Sequence, residues 1–109
     1  MTRKRVLPKS VGSAILVTPD AAIARLVPKF LAKRKLDVAL IIDMLRRKAF
    51  VELKSLAHNL AGTGGSYGCD GISDIGRALG EAAEKQDHAA VRNQACVLED
   101  YLRRVRIAP

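Results

Sequence analysis

The fold is decided by residues 50–68, which read FVELKSLAHNLAGTGGSYG. At about 100° per residue, the apolar positions of this stretch fall within one sector of a helix. These positions are Leu53, Leu56, Ala57, Leu60, Gly64 and Tyr67. His58 points about 140° away from the centre of that sector, so we expect it on the outer side of a core-packed helix.

Small and basic residues surround His58 on this outer side. Its neighbours within two helical turns are Lys54, Ser55, Ala61, Gly62 and Gly65. A glycine inside a helix costs up to about 1 kcal/mol relative to alanine, so the three at 62–65 cost roughly 2–3 kcal/mol. Gly64 points inward, where a neighbouring helix can approach, whereas Gly62 and Gly65 point outward. They predict a shallow floor on which a partner can bring a reactive group to His58, whose imidazole is a usable nucleophile.

A helix-start signal lies upstream, where residues 18–20 read Thr-Pro-Asp. Apolar residues at helical spacing follow it, and Pro28 interrupts them. Because proline disrupts a helix interior, the pattern predicts a short helix that ends near Val27 and a longer one that starts at Pro28.

Two further helices are predicted downstream. One begins after the glycine-containing break at 68–71, and the other begins after Asp87, a plausible N-cap, and includes Val105 in its apolar face. Only residues 14–17 resemble a strand, and they are few. The sequence therefore predicts an all-α fold: an antiparallel four-helix bundle with a short N-terminal helix.

Length and composition indicate one domain. The 109 residues are 49% hydrophobic with two Phe, two Tyr and no Trp, so the core must be aliphatic. Residues 1–13 are predicted to be a basic flexible tail, and residues 14–109 a single domain. The apolar run at 38–42 is far shorter than the roughly 20 residues of a membrane helix, and no signal-type segment is evident. We therefore expect a cytoplasmic protein with no membrane partner.

The charge balance favours an acidic partner. Nineteen Lys and Arg against eleven Asp and Glu give a formal net charge of +8. Such a surface suits nucleic acid or an acidic protein face. The two cysteines are too few for a disulfide scaffold, and the His and Cys residues show no pair at metal-ligand spacing. No metal site is predicted.

Residues 58–68, HNLAGTGGSYG, resemble the signature of histidine phosphotransfer (HPt) domains. The family pattern is His, any residue, Leu, Lys and Gly, followed by small residues and a closing Gly. The segments that extend the resemblance are 26–31, 56–58, 72–79, 82–83 and 101–105, so that it covers roughly residues 20–106.

The resemblance implies an HPt-type bundle in a bacterial multistep phosphorelay. His58 is then the phosphoacceptor, a carrier between receiver-domain aspartates without its own turnover site. The implied partners are response-regulator receiver domains and a hybrid sensor kinase. The chain has no cofactor of its own, because the receiver supplies Mg²⁺, and it is expected to be monomeric. The outward residues that form the candidate docking surface are Val51, Lys54, Ser55, Ala61, Gly62 and Gly65.

Three positions depart from the family pattern. Cys69 follows Gly68, where close relatives of this glycine-rich subtype often carry Phe. Ala61 stands where family members usually carry a lysine that helps to balance the phosphoryl charge. Gly80 stands where an acidic residue is common. Lys54, one turn before His58 on the same side, is expected to substitute in part for the missing lysine. These departures bear on the rate of transfer and on the lifetime of phosphohistidine, and they leave the nucleophile in place.

Two alternatives stay open from the residues themselves. The first is a degenerate HPt-like domain that docks receivers but transfers poorly, as Ala61 allows. The second is a basic helical adaptor that binds an acidic protein or nucleic acid through its charge. Nucleic acid is the less favoured partner, since the charges are dispersed and lack both a recognition-helix motif and an aromatic stacking set. The glycines form no nucleotide loop, because G-x-x-x-x-G-K-[ST] does not occur.

Overall fold

The computed structural model describes residues 13–108, and within this range the chain is mostly helical. Its four α-helices are α1 (Val27–Arg46), α2 (Phe50–Thr63), α3 (Asp70–Glu84) and α4 (His88–Arg104). Two three-residue strands, β1 (Ile15–Val17) and β2 (Val105–Ile107), flank the helices. The prediction of four substantial helices is confirmed. The predicted basic tail, residues 1–13, lies outside the described residues except for Ser13.

The predicted short N-terminal helix is reduced to a single 3₁₀ turn. No helix starts at Thr18, and the chain forms only a turn and a single 3₁₀ turn at Ala24–Leu26. Helix α1 begins at Val27 and carries Pro28 inside its first turn. The first four N–H groups of a helix have no intrahelical acceptor, so the N–H that Pro28 lacks is not missed there.

The two strands join the beginning and the end of the described chain. They pair in parallel, with Ile15 opposite Val105 and Val17 opposite Ile107. The backbone N–H of Ala108 also donates to the carbonyl oxygen of Val17 at 2.8 Å. Residues 14–17 are thus part of a strand pair, and Val105 belongs to it and not to the last helix. Strands of three residues are too short to show alternation in a sequence.

An aliphatic core lies between the four helices, as the composition predicts. Its largest fully buried side chains are Ile41, Leu53, Leu60, Ile72, Leu79, Leu98, Val27, Val91 and Cys69. The side chain of Asp87 caps α4 as predicted, since its Oδ1 accepts from the N–H of Ala90 at 3.0 Å. No helix among residues 13–108 has the length and apolarity needed to cross a membrane.

Close backbone contact between α2 and α3 positions the site. A Cβ atom built at Gly76 would lie 2.4 Å from the backbone nitrogen of Ala61, and one at Gly64 would lie 2.5 Å from that of Ser73. Any side chain at these two positions would push the helices apart. The predicted inward orientation of Gly64 is therefore confirmed, and it serves this approach.

Helix α2 ends earlier than its glycine pattern suggests. Only Gly62 lies within the helix, while Gly64 is its C-cap and Gly65 begins a 3₁₀ turn that ends at Tyr67. Gly68 then takes a φ of +77°, a left-handed conformation that glycine adopts without strain. The predicted mid-helix cost therefore applies to Gly62 alone.

Candidate functional site

His58 lies on the exposed side of α2, opposite the buried positions Leu53, Ala57 and Leu60. This is the orientation that the helical periodicity predicts. Among the other predicted site residues, Val51, Lys54, Ser55, Gly62 and Gly65 are exposed and Ala61 is half-buried. Val51, two turns before His58, has 82% of its surface exposed.

A shallow depression between α2 and α3 contains His58. Its lining residues are Lys54, Ala57, His58, Ala61, Gly76, Arg77 and Gly80. Four of these seven are alanine or glycine, so few side chains extend over the surface beside the imidazole. A Cβ at Gly80 would be 3.6 Å from the Cβ of Ala57, an ordinary contact, so packing does not require glycine at this position. The depression is open because its walls are small.

A second groove borders His58 on the side of α1. It is lined by Met44, Arg47, Glu52, Ser55, Leu56, His58 and Asn59. Arg47 is held there by Asp43, whose Oδ2 is 3.0 Å from its Nε, and the hydrogen bond from Arg47 lowers the pKa of the Asp43 carboxyl. His58 therefore lines both concave surfaces, and its imidazole is accessible to a partner without displacement of any part of the described chain.

The two concave surfaces divide the predicted site residues. Lys54 and Ala61 share the depression with His58, and Ser55 shares the groove. Val51, Gly62 and Gly65 lie outside both, along the exposed side of α2 and just past its end. The predicted residues thus do not form a single pocket.

Two cations flank the depression, and each has a carboxylate partner. Lys54 Nζ forms an ion pair with Glu84 Oε1, and this hydrogen bond lowers the pKa of the Glu84 carboxyl. Arg77 forms an ion pair with Asp74, one turn earlier on α3. All four side chains are at least half exposed, so these pairs add little stability and can exchange partners.

Sequence reasoning missed Arg77 and the role of Gly76. Both are on α3, and their proximity to His58 depends on how α3 packs against α2. The only signal in the sequence is the pair of glycines four residues apart, Gly76 and Gly80, which is typical of a helix face that another helix approaches closely.

The glycine end of α2 offers exposed backbone. A Cβ at Gly62 would meet no atom within 4 Å. The N–H of Gly65 donates to Ser73 Oγ at 2.8 Å, so the turn that follows the helix is anchored to α3. Gly62 and Gly65 are therefore exposed, and the turn that contains Gly65 is held against α3 by this bond and by the close packing of Gly64.

Cys69, the thiol nearest in sequence, is not an available nucleophile. It is fully buried, and its Sγ lies 3.7 Å from the carbonyl oxygen of Tyr67. Burial raises the pKa of the Cys69 thiol, so it stays protonated at neutral pH. Of His58 and Cys69, only the His58 side chain is exposed.

Among residues 13–108, no three His, Cys, Asp or Glu side chains converge as a metal site would require. No family model, curated protein or solved structure matches the chain. What the site can do is therefore decided by the chemistry and geometry around His58.

Proposed function

We propose that this protein is a histidine phosphotransfer domain, an antiparallel four-helix bundle in which His58 relays a phosphoryl group between receiver-domain aspartates. The observation that carries the proposal is the position of His58. It is an exposed imidazole in the middle of a core-packed helix, between two open concave surfaces, with alanine and glycine beside it. The motif at residues 58–68 supports the same function.

Phosphoryl transfer requires of this chain only a nucleophile and open access to it. A lone pair of one His58 ring nitrogen forms the N–P bond, and the O–P bond of the aspartyl phosphate breaks. The electron pair of that bond stays with the aspartate carboxylate, while the imidazole keeps its proton on the other nitrogen. Mg²⁺ on the receiver contributes charge stabilisation, and this chain contributes positioning.

The partners are the receiver domain of a hybrid sensor kinase and the receiver domains of response regulators. The docking surface is Val51, Lys54, Ser55, Ala61, Gly62 and Gly65, extended by the walls of the two concave surfaces. Receiver active sites are acidic, so the net charge of +8 favours encounter. The protein acts as a cytoplasmic monomer with no cofactor of its own.

A degenerate docking module is the second candidate. It is favoured by Ala61, which brings no charge to His58, and by the ion pair in which Lys54 faces Glu84. Such a module binds receivers through the same docking surface but takes up phosphate slowly or not at all.

The decisive experiment uses a receiver domain carrying radiolabelled phosphate. Wild type is compared with His58→Ala and with His88→Ala, a matched control because His88 is the second of the two histidines of the chain. Wild type and His88→Ala are expected to take up label that is acid-labile and alkali-stable, while His58→Ala takes up none.

Each other outcome has a distinct meaning. Equal labelling of His58→Ala would refute the proposal. Wild type that binds a receiver without taking label would establish the degenerate docking module. If neither binding nor label is found with a panel of receivers, the basic adaptor that binds nucleic acid becomes the leading candidate.

A further inference from the structure

A phosphoryl group on His58 needs a cation nearby, and α2 does not supply one at the expected position. The phosphoryl group carries negative charge at neutral pH, and charge-assisted hydrogen bonds are its strongest stabilising contacts. Position 61, one turn after His58, is an alanine. Of the residues that line the depression with His58, only Lys54 and Arg77 carry positive charge.

The contacts between α2 and α3 show which residues of the two helices lie opposite one another, at the same level along the helix axes. Gly65 bonds to Ser73, Ala61 meets Gly76, Ala57 meets Gly80, and Lys54 pairs with Glu84. As the residue number rises along α2, that of its contact on α3 falls. Arg77 follows Gly76 directly, so its backbone is level with Ala61, the turn of α2 that follows His58.

Apart from Lys54, every other residue that lines the depression with Arg77 and His58 is alanine or glycine. Gly76 and Gly80 bound the depression on α3, and Ala61 bounds it on α2. The Arg77 side chain is 63% exposed, and its partner Asp74 is 70% exposed. An ion pair this exposed is weak, so the guanidinium can leave Asp74 for a stronger partner. Its planar fork of donors suits phosphoryl oxygens.

Lys54 precedes His58 on α2, so along the helix axis it lies on the opposite side of His58 from Arg77. It is level with Glu84, whose carboxylate it binds, one turn towards the N-terminus of α2. The exposed glycines Gly62 and Gly65 follow His58 on α2, on the side of Arg77.

We propose that Arg77 is the phosphoryl-binding residue of this site, and that it supplies from α3 the positive charge that a lysine at position 61 would supply from α2. The proposal rests on the proposed function of His58 and deepens it. When the N–P bond forms and the aspartyl O–P bond breaks, the Arg77 guanidinium exchanges the Asp74 carboxylate for the phosphoryl oxygens. Arg77 makes and breaks no covalent bond in this step.

The test measures single-turnover transfer from a phosphorylated receiver over a range of receiver concentrations. This separates the maximal rate of transfer from the concentration that gives half of it. Arg77→Ala is expected to lower the maximal rate by about 10- to 100-fold, the size expected for a lost hydrogen bond to a charged group, with little change in the half-saturating concentration. Arg92→Ala removes the same charge from the exposed surface of α4 and is expected to stay within about twofold of wild type.

Rescue distinguishes charge compensation from a structural effect. Arg77→Lys is expected to recover part of the rate. Ala61→Lys in the Arg77→Ala background is expected to recover most of it, because the charge returns to the same level of the depression. Circular dichroism and urea denaturation verify that each variant folds, which is expected because Arg77 is exposed.

The failures can be told apart. If wild type takes no label, the proposed function is refuted and the role of Arg77 falls with it. If wild type is labelled and Arg77→Ala matches it, only the role of Arg77 is refuted. A slow Arg77→Ala variant that neither lysine rescues would also overturn the proposal, because Arg77 would then act through folding. A variant in which only the half-saturating concentration changes would overturn it as well, because Arg77 would then act through docking.

Discussion

Substitutions at Gly62, one turn after His58, distinguish a glycine that the fold requires from one that a partner requires. A methyl group at this position would meet no atom within 4 Å, so the chain's own packing does not require glycine. Gly62→Ala is therefore expected to raise the free energy of unfolding by about 0.5–1 kcal/mol, because alanine is the better helix former. Gly62→Phe is expected to fold but to slow phosphoryl acceptance by about tenfold or more, since its ring obstructs the approach to His58.

Urea denaturation and the labelling assay measure the two effects separately. Ala89→Phe is the matched control, because Ala89 is an exposed helical residue on α4 and lies outside the docking surface. If Gly62→Phe accepts phosphate at the rate of wild type, Gly62 does not belong to the docking surface.

The exposed position of His58 could be predicted from the sequence, whereas the position of Arg77 beside it could not. The exposure of His58 depends on the local helical period, which residues 50–63 contain in full. The place of Arg77 depends on the packing between two helices, so no window of sequence around it reveals its neighbours. The exposed position of Val51 is local in the same way as that of His58.

The pairing of α2 with α3 can be tested with two glycines of α3, one turn apart, that differ in their clearance from α2. A Cβ at Gly76 would be 2.4 Å from a backbone nitrogen of α2, whereas one at Gly80 would be 3.6 Å from a methyl group. Gly76→Ala is expected to lower the free energy of unfolding by about 1–3 kcal/mol, because the helices must separate. Gly80→Ala is expected to raise it by up to about 1 kcal/mol, because the contact is ordinary and alanine favours the helix.

The midpoint of urea denaturation, compared at equal m-value, measures both variants. Equal effects of the two substitutions would show that α2 and α3 are not held at the distance seen here. A helix-propensity effect alone would make both variants more stable, so the opposite signs are specific to the close contact of Gly76.

The long helices could be predicted because each contains its own signal. Helices α2, α3 and α4 show several turns of apolar periodicity, and α4 also starts at a capping side chain, Asp87. The errors occur where the signal is short or ambiguous. The start signal at 18–20 leads to no helix, and Pro28 fits the first turn of α1 as well as it fits a break between helices. The strand pair is non-local, so neither strand could be predicted from its three residues.

The net charge of +8 leads to a prediction about the whole molecule. Transfer measured well below saturation with receiver is expected to slow by about tenfold between 50 and 500 mM NaCl, because salt screens the attraction between a basic protein and an acidic active site. At saturating receiver the rate should change little, since encounter no longer limits it.

Removal of residues 1–12 provides the matched variant. It deletes Arg3, Lys4, Arg5 and Lys9 and no acidic residue, which lowers the net charge from +8 to +4. Every residue that the structure describes is kept, including all of those around His58. The shortened chain is expected to show about half the salt dependence and the same rate at saturating receiver. If salt leaves transfer unchanged but weakens binding to labelled DNA or RNA, the charge serves nucleic acid, and the basic surface and His58 have separate partners.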